Sequence, residues 1–243
     1  MKRIGGIAVL LVGCLLLFSL IRPSDPLRDF PRLMLWAWEA PQDLRFIVPG
    51  RAGIAFLSRT VWLAPGRAYS RPRLQPLRYT PGTDLMAVVR FESEGHGLPD
   101  SANVIREVAP AFEMDGVRAI QIDFDARASE RAWYRTFLRD LRRQLPANQL
   151  LTITALESWC EEKGWLDALP IDEATPMLFR MGPGDRPAPT GFPAKICGSS
   201  AGVSTDELPA RIPRVRRIYF FHPGSWTQAG YEAAQGQAGR WAR

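Results

Sequence analysis

Apolar strand patterns alternate with amphipathic helix patterns through the middle of this chain. Strand patterns cover residues 84–91, 118–124 and 150–156, and helix patterns lie between them at 103–112 and 129–145. Strands that alternate with helices form parallel sheets, because each helix returns the chain to the start of the next strand. The alternation therefore predicts an α/β protein with a parallel sheet.

Five further strand patterns bring the total to eight. They cover residues 33–38, 53–63, 175–180, 197–204 and 217–221. Eight strands in about 210 residues are typical of the small end of the (β/α)₈ class. We predict a small or irregular (β/α)₈ TIM-like barrel, with an open doubly wound sheet as the alternative.

The segments between the first strands carry weaker signals. Residues 41–46 are predicted as a short helical turn. Residues 67–81 are rich in proline and are predicted as a connection.

The N-terminal segment predicts export. Lys2 and Arg3 precede an uncharged apolar run over residues 4–21, so residues 1–22 are interpreted as an anchor helix that leaves the N-terminus in the cytoplasm. Residues 23–32 are then a linker, and residues 33–243 form the barrel domain on the periplasmic or extracytoplasmic side. As an alternative, Leu11-Val12-Gly13-Cys14 resembles a lipoprotein signal with lipidation at Cys14. Either interpretation tethers the domain to a membrane.

Two cysteines remain after the N-terminal segment. Cys160 and Cys197 are the smallest set that closes a bridge in an oxidising compartment, so we predict that they form a disulfide. The alternative is two separate thiols. Neither cysteine has a second cysteine or a histidine at metal-ligand spacing.

The basic composition does not predict nucleic-acid binding. The net charge is +6, but nearly all of the 31 basic residues are arginines, and they are spread along the chain. No glycine-rich phosphate loop follows the first strand, and we predict no cofactor and no metal. The chain leaves the oligomeric state open.

Polar and aromatic residues follow the predicted strands at their carboxyl ends, which in a barrel meet at one mouth. Acids there suit general acid and base catalysis, while tryptophans stack on sugar rings and arginines bind hydroxyl or acidic groups. The sequence therefore predicts a carbohydrate or cell-envelope glycan as the partner. The catalytic candidates are Asp123, Asp125, Glu157 and Asp206, and the substrate-binding candidates are Trp38, Glu39, Arg90, Arg127, Trp159, Arg180, Glu207 and His222. A cation held by Asp123 and Asp125 is a further alternative.

Five short phrases carry a family resemblance. They are LWAWE at 35–39, MAVVR at 86–90, IQIDFDAR at 120–127, ITALESWC at 153–160 and PMLFRMG at 176–182. They resemble an uncharacterised bacterial family, domain-of-unknown-function family 3142, over most of residues 33–224. The resemblance implies no assigned reaction.

A looser resemblance is to chitinase-like glycoside hydrolases, whose fourth barrel strand ends in Asp-Gly-x-Asp-x-Asp-x-Glu. Asp123 and Asp125 match the last two aspartates of that pattern, but Arg127 stands where that family has its catalytic glutamate. The resemblance implies a two-carboxylate glycoside hydrolase-like enzyme. The departure at Arg127 favours the alternative, a non-catalytic glycan-binding or envelope-assembly module on a degenerate barrel.

Overall fold

Eight parallel strands close into a barrel in the computed structural model of the protein, which describes residues 26–162, 164–180 and 189–242. The order around the barrel is β1, β3, β6, β7, β8, β9, β10 and β11, and β11 pairs with β1 to complete the circle. The described residues form these strands: β1 Leu33–Ala37, β2 Gln42–Asp43, β3 Gly53–Ala64, β4 Arg67–Pro72, β5 Leu77–Arg78, β6 Leu85–Ser93, β7 Val117–Asp123, β8 Leu150–Leu156, β9 Glu173–Met177, β10 Ser200–Ser204 and β11 Arg217–Phe221. The barrel prediction is confirmed, and the open-sheet alternative is wrong because β1 pairs with strands on both sides.

Helices cover the outside of this barrel unevenly. The described residues form these α-helices: α1 Ser101–Phe112, α2 Arg131–Gln144, α3 Glu157–Glu161 and α4 Gln228–Trp241. Between β9 and β10, the described residues contain only a 3₁₀ turn at Lys195–Cys197. This uneven covering matches the predicted irregular barrel.

Helices α1 and α2 each bury an apolar stripe. In α1 the buried side chains include Val104, Ile105 and Val108, which recur at intervals of one to four residues. In α2 the buried stripe contains Phe137 and Leu141, together with Tyr134 and Leu138. These stripes pack against the outward side chains of the strands.

The early connections contain short strands, and one prediction for them is wrong. Residues 41–46 contain the short strand β2 rather than a helical turn, and β2 pairs in parallel with β5. Residues 67–81 contain β4 as well as β5, and β4 forms an antiparallel hairpin with the end of β3.

The inside of the barrel contains buried polar groups near the amino ends of the strands. Arg217 on β11 donates to Glu173 on β9 at 2.6 Å, and both side chains are fully buried. The Tyr219 hydroxyl donates to the other oxygen of Glu173 at 2.9 Å. Each buried charge therefore has a partner of opposite charge, as burial requires.

Residues 26–32 lie against the amino-terminal end of the barrel. Leu27 is fully buried and Phe30 nearly so, and both pack with the interior side chains Met34 and Tyr219. The segment predicted as a linker therefore contributes side chains to the core.

The anchor predicted for residues 1–22 and the lipidation predicted at Cys14 lie outside the described residues. Among the helices in the described part of the chain, none combines the length and the apolar character needed to cross a bilayer.

The predicted disulfide is confirmed. Cys160 at the end of α3 is bonded to Cys197 in the 3₁₀ turn before β10, with 5.9 Å between the Cα atoms. Both cysteines are fully buried. The bridge thus joins two connections on the outside of the barrel.

Candidate functional site

A cavity of about 520 Å³ opens at the carboxyl ends of the barrel strands. Its volume lies in the range of ligand sites, and its position is where barrels of this kind bind ligands. The structure brings six of the predicted site residues to its wall: Trp38, Arg90, Asp123, Asp125, Glu157 and Arg180. The remaining lining residues are Trp36, Thr154, Leu156, Ser158, Met177, Phe179 and Phe221.

Asp123, the last residue of β7, lines the cavity and is buried. One carboxylate oxygen accepts a hydrogen bond from Thr154 at 2.7 Å, and the other accepts from Arg90 at 3.1 Å. Burial raises the pKa of the Asp123 carboxyl, and the charge of Arg90 and the Thr154 hydroxyl oppose that shift. Because both of its oxygens already have protein partners, Asp123 is suited to position Arg90 rather than to transfer a proton.

Asp125 and Glu157 lie closer to the opening. Asp125 is exposed at the rim, two residues after Asp123, and Glu157 begins α3 directly after the neighbouring strand β8. The surrounding protein raises the pKa of the Asp125 carboxyl by desolvation; Arg90 opposes this, and the charge of Glu92 adds to it. A carboxyl group with a raised pKa holds its proton longer as the pH rises, so Asp125 is suited to donate one.

Arg90 connects the acids to the rest of the wall. Its guanidinium donates to Asp123 and, at 2.6 Å, to Glu92, which lies two residues further along β6. The same guanidinium lies 6.0 Å from the ring centre of Trp38, within the range of a cation–π contact. Arg90 is therefore held on two sides by carboxylates.

Four aromatic rings form one side of the cavity: Trp36, Trp38, Phe179 and Phe221. Phe179 stacks on Phe221 with ring centres 5.7 Å apart and an angle of 4° between the planes. Trp36 and Trp38 meet the edges of these rings at 6.3 and 6.1 Å. We call this group the aromatic wall.

Trp36 is fixed at the base of the aromatic wall by two contacts. Its indole nitrogen donates to the buried Gln121 side chain at 2.7 Å, and its ring stacks on Tyr219. Gly202 on β10 leaves room for the indole, because a Cβ atom there would lie 2.5 Å from the Trp36 ring.

Arg180 borders the aromatic wall. Its backbone has a φ of 53°, which side-chain-bearing residues seldom adopt, and its backbone N–H donates to Glu207 at 3.0 Å. The guanidinium lies 5.4 Å from the ring centre of Phe221. Arg180 and Arg90 thus both place positive charge in the cavity wall.

Glu39 and Arg127 do not line the cavity. Glu39 binds Arg71 at 3.3 Å and accepts from the backbone of Leu74. Arg127 donates to the carbonyl of Glu94 at 3.3 Å. Arg127 therefore lies outside the cavity wall.

Trp159 does not line the cavity either. It is 2% exposed and packs in the core, edge-on to Trp165 with 5.0 Å between ring centres. The one-turn helix α3 directs Glu157 to the cavity and turns Trp159 toward the core.

Asp206, Glu207 and His222 lie beside the opening and not in its wall. Asp206 is exposed and accepts from Ser204, which lowers the pKa of its carboxyl, with Arg180 and His222 adding to the effect. Glu207 holds the Arg180 backbone as described above, and His222 contacts Thr205 at 2.7 Å. The structure therefore does not bring Asp206 together with Asp123, Asp125 and Glu157.

Several lining residues were not among the sequence candidates. Phe179 and Phe221 were assigned to strands, and Trp36 was assigned to the interior of one. Phe179 lies two residues after Met177, which also lines the cavity, and Trp36 lies two residues before Trp38. Side chains two residues apart on a strand lie on the same face. Trp36 therefore follows from the candidate Trp38, and Phe179 lies on the same face as Met177.

In the described ranges, no three His, Cys, Asp or Glu side chains are grouped so that they could hold a metal ion. Each oxygen of Asp123 accepts a hydrogen bond, one from Thr154 and the other from Arg90.

Part of the chain matches a protein-family model. Residues 82–175 match a family described as "Domain of unknown function (DUF3142)". The matched segment runs from just before β6 into β9 and contains Arg90, Asp123, Asp125 and Glu157. Comparisons with curated proteins and with solved structures found no match.

Proposed function

We propose that the cavity binds a carbohydrate and that the protein is a glycoside hydrolase-like enzyme. One observation carries this proposal: Asp125 and Glu157 line the same cavity as the aromatic wall. Aromatic rings bind the apolar faces of sugar rings, and carboxylates accept hydrogen bonds from their hydroxyl groups. In this proposal, Asp125 and Glu157 lie beside the bound sugar chain.

Asp125 is the proposed proton donor and Glu157 the proposed nucleophile or base. In such mechanisms two carboxyl groups flank the scissile bond, about 5 to 5.5 Å apart in retaining enzymes and further apart in inverting ones. The raised pKa of Asp125 suits the protonated partner. Asp123 and Arg90 are positioning residues in this scheme.

The test is an assay of the purified full-length protein against peptidoglycan, chitin and exopolysaccharides, with release of reducing ends as the measurement. We expect Asp125→Asn and Glu157→Gln each to lower turnover about 100-fold or more. Asp206→Asn is the matched control, because that acid lies outside the cavity wall, and it should retain activity. Unchanged turnover in Asp125→Asn would remove Asp125 from the mechanism.

A second function is favoured by a specific observation: Arg127 lies outside the cavity wall and donates to the Glu94 carbonyl. It is a glycan-binding or envelope-assembly module that holds the sugar without cleaving it. In the same assay, a glycan that binds and remains intact for hours supports this module over the enzyme. Absence of both binding and hydrolysis contradicts both functions.

We also propose that the domain is exported and tethered to a membrane by its N-terminal segment. The Cys160–Cys197 disulfide supports this, because such bridges persist in oxidising compartments. Cell fractionation with a Cys14→Ala variant tests the proposal. Membrane association that survives the substitution indicates an uncleaved anchor, its loss indicates lipidation, and a cytosolic wild-type protein contradicts export.

A further inference from the structure

Strands β3 and β6 continue well beyond the barrel on one side of the cavity. The pairing of β1 with β3 ends at Ala37 and Phe56, and the pairing of β6 with β7 ends at Arg90 and Asp123. β3 and β6 nevertheless stay paired as far as Leu63 and Ser93. Together with β4 they form a three-stranded sheet extension, defined here as residues 59–64, 67–72 and 90–93.

The outer face of this sheet extension is covered. Val61 and Leu63 are buried there. Arg59 donates to the carbonyl of Glu107 on α1 at 2.7 Å, and Ser70 donates to the Glu107 carboxylate at the same distance. Helix α1 therefore occupies this face.

The inner face carries two aromatic rings in contact with solvent, the half-buried Trp62 and the exposed Tyr69. Trp62 and Tyr69 are cross-strand partners and stack with ring centres 5.4 Å apart and an angle of 11° between the planes. Tyr69 is 46% exposed, and the Arg67 guanidinium lies 5.4 Å from its ring centre. A stacked pair of large rings in contact with water is unusual enough to indicate a contact surface.

This face is continuous with the cavity wall. Arg90 lines the cavity, and Glu92, to which it donates, lies two residues further along the same face of β6. Glu92 is the register partner of Trp62, and Trp62 is the partner of Tyr69. Neighbouring strands lie roughly 5 Å apart, so the aromatic pair begins about one strand spacing from Glu92.

We propose that the inner face of the sheet extension is a second sugar-binding site, which holds the part of a glycan chain that extends out of the cavity. Tyr69 contacts one face of the Trp62 indole, and the opposite face is assigned to a sugar ring. Glu92, the register partner of Trp62 on the neighbouring strand, is placed to bind hydroxyl groups beside it. The occupant is therefore a linear oligosaccharide rather than a single sugar.

This inference rests on the proposed function, because it takes the cavity as the site that binds the first sugars. It adds a preference for longer oligosaccharides, which binding in the cavity alone does not require. Sugars beyond those in the cavity gain contacts only if Trp62 and Tyr69 hold them.

The experiment is a titration of the full-length protein, monitored calorimetrically, with oligosaccharides derived from chitin, cellulose and peptidoglycan, each from one to six sugar units. Wild type should bind the longest members more tightly than the shortest. Trp62→Ala should weaken binding of the long members by about 3- to 10-fold and leave the short members unchanged. Trp62→Phe, which keeps a ring, should recover part of that loss.

Tyr79→Ala is the matched control, because Tyr79 is 38% exposed and lies outside this face. It should bind every length as wild type does, and circular dichroism should show each variant folded. Equal affinity of wild type for short and long members, or no effect of Trp62→Ala on long ones, overturns this inference and leaves the proposed function standing. Failure of wild type to bind any member overturns both.

Discussion

The buried carboxyl group of Asp123 lines the cavity and also affects the stability of the protein. Its carboxyl group is buried and bonded to Arg90 and Thr154. Desolvation nevertheless outweighs these partners, and the pKa of Asp123 is raised. A group that is more easily ionised in the unfolded chain than in the folded protein makes stability depend on pH.

The direction of that dependence can be predicted. In the unfolded chain the Asp123 carboxyl has a pKa near its ordinary value of 3.8, and in the folded protein the pKa is higher. Between the two values the folded state keeps a proton that the unfolded state releases, so the free energy of unfolding falls as pH rises.

Asp123→Asn removes this titration. Urea unfolding of wild type and variant from pH 3 to pH 7 should therefore show the wild type losing stability relative to the variant as pH rises. Asp115→Asn, at an exposed aspartate, is the control. A stability difference that is constant or changes in the opposite direction contradicts the assignment of the raised pKa to Asp123.

Strands with a regular apolar pattern can be predicted from this sequence, and strands without one cannot. The bounds of β8 and β11 agree with their predicted ranges, because each is a short apolar run with clear ends. Strand β4 was missed because its residues RAYSRP are exposed and carry arginine and proline. Its strand conformation comes from pairing with β3, which a local pattern does not reveal.

Some residues of the site can be predicted from the sequence, and others cannot. The sequence predicted Asp123, Asp125 and Glu157 from their place after strands, and the barrel brings them to one cavity. It did not predict the direction of Trp159, because α3 begins directly after β8 and rotates successive side chains by about 100° instead of 180°. Where strand gives way to helix, the alternation on which the prediction depended no longer holds.

The disulfide stabilises a part of the barrel with little helical cover. Cys160 and Cys197 are 37 residues apart in sequence and join α3 to the turn before β10. Closing a loop of that length lowers the entropy of the unfolded chain, which corresponds to roughly 4 kcal/mol. The double substitution Cys160→Ser and Cys197→Ser should therefore lower the melting temperature by roughly 10 °C.

Differential scanning calorimetry with and without a reductant measures this effect. The reductant should lower the melting temperature of wild type and have no effect on the double variant. Cys14→Ser, with the bridge intact, should behave as wild type does. A wild-type protein insensitive to complete reduction would show that the bridge adds no stability.

The cavity and the N-terminal residues 26–32 lie at opposite ends of the barrel. The cavity opens at the carboxyl ends of the strands, and the chain enters at the opposite end through residues 26–32. There the backbone N–H of Ile218 donates to the carbonyl of Arg32 at 2.8 Å, and Arg217 donates to the carbonyl of Leu27. If the preceding segment is a membrane anchor, as proposed, this arrangement directs the cavity away from the bilayer.

The amino-terminal end should therefore behave as part of the cooperative fold. Leu27 has no exposed surface and packs on the barrel interior, so Leu27→Ala in the full chain should lower the free energy of unfolding by about 2 to 5 kcal/mol. Leu74→Ala is the matched control, because Leu74 is 63% exposed, and its effect should stay within about 0.5 kcal/mol. Urea unfolding measured by tryptophan fluorescence distinguishes the two variants. Equal urea midpoints for the two variants would show that residues 26–32 contact the barrel without stabilising it. The proposed direction of the cavity away from the bilayer would then have no support.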